Sequence, residues 1–271
     1  MKTALPLRTA GCATALVKAT GPAIKTVMPS QTPTPSAMAE LFTGAPPAPD
    51  HPFVAVGDVH GRLDLLAPVL DRAQAAGLPV VMLGDYIDRG PDSADVLRLL
   101  QDRSAAMDLT CLRGNHEDLM LRFLTRPRRT GRPWLRYGGR ATLASFGIND
   151  LPAEVGPDDL MRAHQALLAV LGDQMVWMKS MPYLWQSGNV AACHAGADPH
   201  QPLDEQLQKA MTWGHPDFGV VPRRDGIWCV HGHRIVDALT VQGGVISVDT
   251  GAWKTGKLTA VVIGDGQIRP L

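Results

Sequence analysis

Three short runs constrain this chain most: Gly57-Asp58-Val59-His60-Gly61, Gly84-Asp85-Tyr86-Ile87-Asp88-Arg89-Gly90 and Arg113-Gly114-Asn115-His116-Glu117. The gaps between them are similar, each about one strand–helix unit long. A short apolar stretch leads into every run: Phe53-Val54-Ala55-Val56, then Pro79 to Leu83, then Leu109 to Leu112. Behind the first run Leu63, Leu66, Val69, Leu70 and Ala73 recur at helical spacing, closed by Gly77. Behind the second, Asp92 or Ser93 is placed to cap a helix carrying Val96, Leu97, Leu99 and Leu100. The third run opens a helix from Asn115 to Leu124. Strand–helix alternation with short loops predicts parallel βαβ units. Sites in such folds lie beyond the carboxyl ends of the strands, where all three runs fall.

The residues in those loops suit two divalent ions held close together. A carboxylate can give one oxygen to each ion, and Asp85 is the natural bridge. Asp58 and His60 alternate across a strand end, so both can turn to one ion while Val59 faces away. Asn115 offers a neutral oxygen to the second ion. Two later fragments, Cys193-His194-Ala195-Gly196 and Val230-His231-Gly232-His233, each follow a strand and can supply imidazoles.

Beyond these runs, residues 126–182 read as mostly helical, a cap or insertion on a domain spanning 51–271. Leu160, Ala163, Leu167, Leu168 and Leu171 form one amphipathic stripe there. The last third turns to β, with turns at Ser187-Gly188-Asn189, Gly243-Gly244 and Asp265-Gly266 between candidate strands. The expected architecture is α/β: two sheets with helices outside. Residues 1–50 are rich in Ala, Thr and Pro and hold no acid before Glu40, so an extension without stable structure is expected there.

Apolar content of 45% and 19% charged residues suit a globular domain, and the zero formal net charge argues against nucleic-acid partners. No apolar run has the length of a membrane span. Cys12, Cys111, Cys193 and Cys229 are too scattered for a disulfide framework or zinc ribbon, and a reducing, cytoplasmic setting is expected.

The three runs, the two later histidine fragments and Val248-Asp249-Thr250-Gly251-Ala252 resemble the PPP family of metallophosphatases, most closely its small bacterial and phage-type protein phosphatases. The likeness runs from about Val54 to Val262. It implies a calcineurin-like metallophosphoesterase fold, an αββα sandwich, and hydrolysis of a phosphoester by a water activated between two ions. By resemblance, Asp58, His60 and Asp85 hold the first ion, and Asp85, Asn115, His194 and His233 the second. His233 is preferred over His231 because the family's ligand follows the glycine. Manganese is the expected metal; an oxygen-and-imidazole site also takes iron, zinc or cobalt. His116 would protonate the leaving oxygen, Asp88 would orient His116, and Arg89 would bind phosphate.

Two positions depart from the family pattern. His215 stands where small members carry a phosphate-holding arginine, with Arg223 or Arg224 as substitutes, and Arg234 follows His233 where a threonine is usual. Both His215 and Arg234 are therefore candidate phosphate contacts. For Arg113, phosphate contact and structural pairing stay equally open. Arg122, Arg126, Arg128, Arg129, Arg132, Arg136 and Arg140 interleave with Trp134 and Tyr137, either as a solvated cap surface or as a docking face for an anionic substrate. The expected substrate is a phosphoprotein or phosphopeptide, handled by a Ser/Thr or dual-specificity phosphatase. A polyphosphate nucleotide is the alternative, as in diadenosine-tetraphosphate hydrolases. Asp88 and Glu117 count against it, since those relatives usually lack the first and carry Asn-His-Asp. A phosphate-binding module without catalysis would need a lost ligand, and none is missing.

Overall fold

Two five-stranded sheets lie face to face in the computed structural model, which describes residues 42–271. The first has the order β10-β9-β1-β2-β3, built from Phe53–Val56 (β1), Val80–Met82 (β2), Leu109–Cys111 (β3), Ala260–Gly264 (β9) and Gln267–Pro270 (β10). The second has the order β4-β5-β6-β8-β7, from Leu184–Ser187, Val190–Cys193, Trp228–His231, Thr240–Gln242 and Val245–Ser247 in chain order. β1, β2 and β3 run parallel, as do β5, β6 and β8. Antiparallel strands complete each sheet, turned at the expected places: Gly243-Gly244 and Asp265-Gly266 all adopt positive φ.

Alternation along the strands divides the core. Phe53, Ala55, Val81 and Leu83 point between the sheets, against Val190, Ala192, Val230 and Ile246. Val54, Val56, Val80 and Met82 point the other way, onto helices Leu63–Ala75 (α1), Ser93–Ala106 (α2) and Asn115–Thr125 (α3) and the helical stretch beyond them. That stretch comprises Pro127–Trp134 (α4), a π turn over Leu135–Gly139, Arg140–Ser145 (α5), Pro157–Leu171 (α6) and Gln174–Ser180 (α7). The outer face of the second sheet is thinly covered, by Phe218 on Ala191 and Cys229, and a short helix Gln208–Trp213 (α8) lies in the same segment of chain. Cys111, Cys193 and Cys229 are buried free thiols, and burial pushes Cys111 and Cys229 up to about 12.

Two local expectations need correction. Neither Asp92 nor Ser93 caps α2 with its side chain, because the Ser93 hydroxyl instead accepts the Asp88 N–H at 3.0 Å. Structure was not expected before about residue 50, yet Phe42–Asp50 straps the domain. The Ala48 N–H donates to Asn189 Oδ1 at 2.6 Å, Asp50 N–H to Ser187 Oγ at 2.9 Å, and the Trp228 indole N–H to the Ala45 carbonyl at 2.8 Å. The remainder of the expected extension, residues 1–41, lies outside the described residues. Among the described residues, no helix is long and apolar enough to cross a membrane.

Candidate metal centre and active site

The strand-end loops carry concentrated backbone strain. Five of the six positive-φ residues other than glycine among the described residues are His60, Asp85, Asp88, Arg89 and His233, at 47°, 55°, 71°, 70° and 63°. Such conformations cost about 1–3 kcal/mol each and persist only where the surroundings hold them. Glu117, in the first turn of α3, is one such holder. Its Oε2 accepts the N–H groups of Asp85 and Gly114, both at 2.9 Å, and its Oε1 accepts that of Tyr86 at 2.8 Å. Burial first, and Asp85 next, push the Glu117 carboxyl up to about 8 despite those donors.

Asp85 sits at the centre. Its Oδ2 lies 3.6 Å from His60 Nε2 and 3.7 Å from His116 Nε2, while its Oδ1 lies 3.3 Å from His194 Nε2. The two oxygens thus face two different sets of nitrogens. Burial alone would raise this carboxyl, but His194, His116 and His60 together hold it below the ordinary carboxylate range. Single donor atoms of His60, Asp85 and His116 come within 4.8 Å of one another, and so do those of Asp85, His194 and His233.

The ring tautomers are set from behind. His60 Nδ1–H donates to the Ile87 carbonyl at 2.7 Å and His194 Nδ1–H to the Leu83 carbonyl at 2.8 Å. Each therefore turns its Nε2 inward. His194 Nε2 then faces Asn115 Oδ1 at 2.8 Å, with His233 Nδ1 2.9 Å from the same oxygen and 3.2 Å from His194 Nε2. Burial keeps His60 and His233 neutral, lowering them to about 3 and about 4. In their metal-binding tautomers these nitrogens and the Asn115 oxygen would turn lone pairs toward one another, an arrangement that a cation between them relieves. Together with a carboxylate shared by both sets, the donor chemistry fits two divalent ions.

Asp58 is buried beside this cluster and accepts the His233 N–H at 3.0 and 3.1 Å through its two oxygens. A side chain at Gly232 would start 2.0 Å from Asp58 Oδ1, which explains the glycine inside His-Gly-His. Burial, then Asp249 and Asp85, raise the Asp58 carboxyl well above its usual value. Asp249, itself raised by burial, is a further acid that sequence reasoning registered only as part of a run. His231 turns away, its Nε2 2.7 Å from Ser247 Oγ.

Asp88 is wholly buried in a cage of donors. Its Oδ2 accepts His116 Nδ1–H at 2.7 Å, its Oδ1 accepts the Thr142 hydroxyl at 2.6 Å, and the Trp134 indole N–H reaches both oxygens at 3.0–3.1 Å. Burial raises Asp88. Burial opposes a charge on His116, but Asp85 and Asp88 outweigh it and raise that imidazole. Arg89 aims its two terminal nitrogens at His60 Nε2 (3.1 Å) and His116 Nε2 (3.2 Å) while the guanidinium carbon lies 5.1 Å over the Trp253 ring.

The remaining candidates divide. Arg113 is a structural tie: it donates to the Tyr183 hydroxyl at 2.6 Å and to the Lys179 carbonyl. Arg223 is spent on Asp225 and on the Asp198 and Gln201 carbonyls. His215 lies 3.7 Å from Asp198 and accepts the Asp217 N–H at 3.2 Å; among the described residues no hydrogen bond or ion pair joins it to the cluster. Arg234 is exposed and lines a separate hollow of about 200 Å³ with His231 and Ser247. In the basic stretch, Arg132 and Arg140 donate to carbonyls of residues 151–155, and Arg128 lies 3.5 Å from Asp158.

The family model of the calcineurin-like phosphoesterases matches residues 51–250. Serine/threonine-protein phosphatase 2 of Escherichia coli is 28% identical over 75% of this chain and 89% of its own length. A bis(5'-nucleosyl)-tetraphosphatase of Bacillus mycoides is 25% identical over 76% of this chain and 88% of its own length. Among solved structures, a cold-active protein-tyrosine phosphatase of a Shewanella species shares the fold at TM-score 0.51 and 19% identity, covering 81% of this chain and 80% of that one.

Proposed function

The chain belongs to the calcineurin-like phosphoesterase family, and from that premise we propose that it is a phosphoprotein phosphatase working on two divalent ions. Asp58, His60 and Asp85 would hold one ion, and Asp85, Asn115, His194 and His233 the other, with manganese the first candidate. When bound, such ions polarise a phosphoester and make water a nucleophile at neutral pH. The protein's own groups do the rest. Arg89 would draw the phosphoryl oxygens into the space it shares with His60 and His116, offsetting their charge through two parallel N–H donors. His116 would deliver a proton from Nε2 to the leaving oxygen, and Asp88 would keep its Nδ1 protonated and the ring in place. Arg234 is a weaker candidate for phosphate contact. His215 lacks a route to the cluster through its observed partners.

The observation that carries this reading is the convergence of Arg89 and the Asp88-anchored His116 beside the shared Asp85 carboxylate. Hydrolysis of a dinucleoside tetraphosphate is the second reading, favoured by the likeness to the Bacillus mycoides enzyme along most of that protein. Assaying the manganese-loaded protein side by side on a phosphoserine peptide, a phosphotyrosine peptide and diadenosine tetraphosphate separates them. At least one peptide is expected to exceed the nucleotide about tenfold in kcat/KM. A nucleotide preference would replace the first reading with the second.

A further inference from the structure

The helical stretch beyond α3 reaches the site through Trp134 and Thr142 at Asp88 and, next to them, through a turn at Arg89. The π turn over Leu135–Gly139 breaks at Gly138, whose φ is 116°. Its carbonyl accepts the Arg89 N–H at 3.4 Å, and a side chain there would start 2.6 Å from that same nitrogen. Only glycine lets the turn lie so close, and the consequence is that the preceding residue, Tyr137, overhangs the active site. Its ring stands edge-on to His116 with centroids 6.2 Å apart and is backed by Trp213 at 6.4 Å, yet 47% of the residue stays exposed. Trp253, stacked on Arg89, is a second exposed ring beside the same groups.

Tyr137 thus packs one part of its ring on His116 and Trp213 and leaves the other part open beside the His116 imidazole. His116 Nε2 is where the leaving oxygen receives its proton, so whatever that oxygen is attached to comes next to Tyr137. Ring pairs associate at centroid separations of about 4.5–7 Å, and the His116 ring itself stands 6.2 Å from that of Tyr137. In an aryl ester the ring is bonded to the leaving oxygen itself. In a serine ester a flexible methylene occupies that place, and in a nucleotide polyphosphate the base lies at least a ribose and a phosphate away.

We propose that Tyr137 is a specificity-determining residue that favours aryl phosphomonoesters, phosphotyrosine above phosphoserine. This rests on the phosphatase reading above. In the step concerned, water's oxygen bonds to phosphorus, the bond from phosphorus to the phenol oxygen breaks, that oxygen takes the His116 proton, and the proton released by the water returns to His116, leaving phenol and inorganic phosphate.

The test compares wild type, Tyr137→Ala and Tyr137→Phe on phosphotyrosine and phosphoserine peptides of matched sequence, and on phenyl phosphate and glycerol 2-phosphate. The quantity read is the ratio of kcat/KM for the aryl over the alkyl member of each pair, which cancels general losses and the intrinsic advantage of a phenol as leaving group. Aromatic pairs contribute about 0.5–1.5 kcal/mol, so the ratio should fall about two- to twelvefold in Tyr137→Ala and be retained in Tyr137→Phe. A ratio unchanged in Tyr137→Ala, or equally lowered in Tyr137→Phe, overturns the role of the ring while leaving the phosphatase reading standing. A wild-type protein that hydrolyses none of the four monoesters overturns both.

Discussion

His116 is held from one side by Asp88 and meets Arg89 on the other, so its two nitrogens have separate duties. Replacing it tests the proton step without dismantling the ion site, because Asn115, beside it, reaches His194 and His233 rather than His116. His116→Asn is expected to lower turnover by about 10²–10⁴-fold, the usual range for a lost general acid, with metal content by mass spectrometry preserved. Turnover within a factor of a few of wild type would take His116 out of the proton transfer. His215 makes the opposite case, since Asp198 and Asp217 are its partners. His215→Ala should leave KM for phosphate esters within about twofold, because among the described residues no hydrogen bond or ion pair joins His215 to the cluster; a rise of tenfold in steady-state kinetics would restore it as a phosphate contact. These outcomes mark what could be read from the chain at this scale. Few residue types ligate ions, so Asp, His and Asn in glycine-flanked runs stand out. Thr142 and Trp134 grip Asp88 from 54 and 46 residues away, and nothing local in a threonine or tryptophan announces that distance being closed. Likewise His215 stands in a family arginine's place by resemblance, whereas its contacts depend on how the 198–217 segment folds.

Glu117 joins three elements from the first turn of α3, accepting N–H groups at 85 and 86 after β2 and at 114 after β3. It is fully buried, so Glu117→Ala strands three backbone donors away from water. Each unsatisfied buried donor costs about 1–3 kcal/mol, and a loss of at least about 3 kcal/mol is expected in urea unfolding. A loss below about 1 kcal/mol would mean that the loops hold themselves. The elements that meet at this glutamate were legible because their patterns are strong: apolar strands two faces deep, helices with a period, glycines at the turns. The strap Phe42–Asp50 was not. It has no period, four of its nine residues are proline or glycine, and its order comes from Ser187 and Trp228 on the second sheet and Asn189 in the turn between β4 and β5. The bend at Gly138 was hidden for a related reason, since its left-handed backbone is dictated by the approach to Arg89 rather than by the surrounding helix.

At the scale of the whole molecule, the formal charge is zero, yet the acids are unevenly placed. Asp58, Asp85, Glu117 and Asp249 are all buried around one centre, and mutual repulsion adds to burial in raising Asp58 and Asp249. Burying carboxylates without counter-charge opposes folding. The fold tolerates the arrangement by anchoring the His60 and His194 rings from behind, through the Ile87 and Leu83 carbonyls, and so keeps the donor atoms convergent. Cations bound there would relieve the repulsion in the folded state alone, since the unfolded chain scatters the same donors. Stability must then rise with ion concentration by mass action, reaching about 2.7 kcal/mol at a hundredfold excess over Kd for one site. For a domain of this size that corresponds to a Tm increase of about 5–10 °C, measurable by calorimetry after chelation and stepwise return of manganese. Asp85→Asn should shrink the increase most, because its two oxygens face both nitrogen sets. Arg89→Ala should largely keep it, because a guanidinium carries positive charge and does not ligate a cation. A Tm indifferent to the cation, or an Asp85→Asn protein that responds as wild type does, would remove the two-ion reading of the centre whatever the activity assays return.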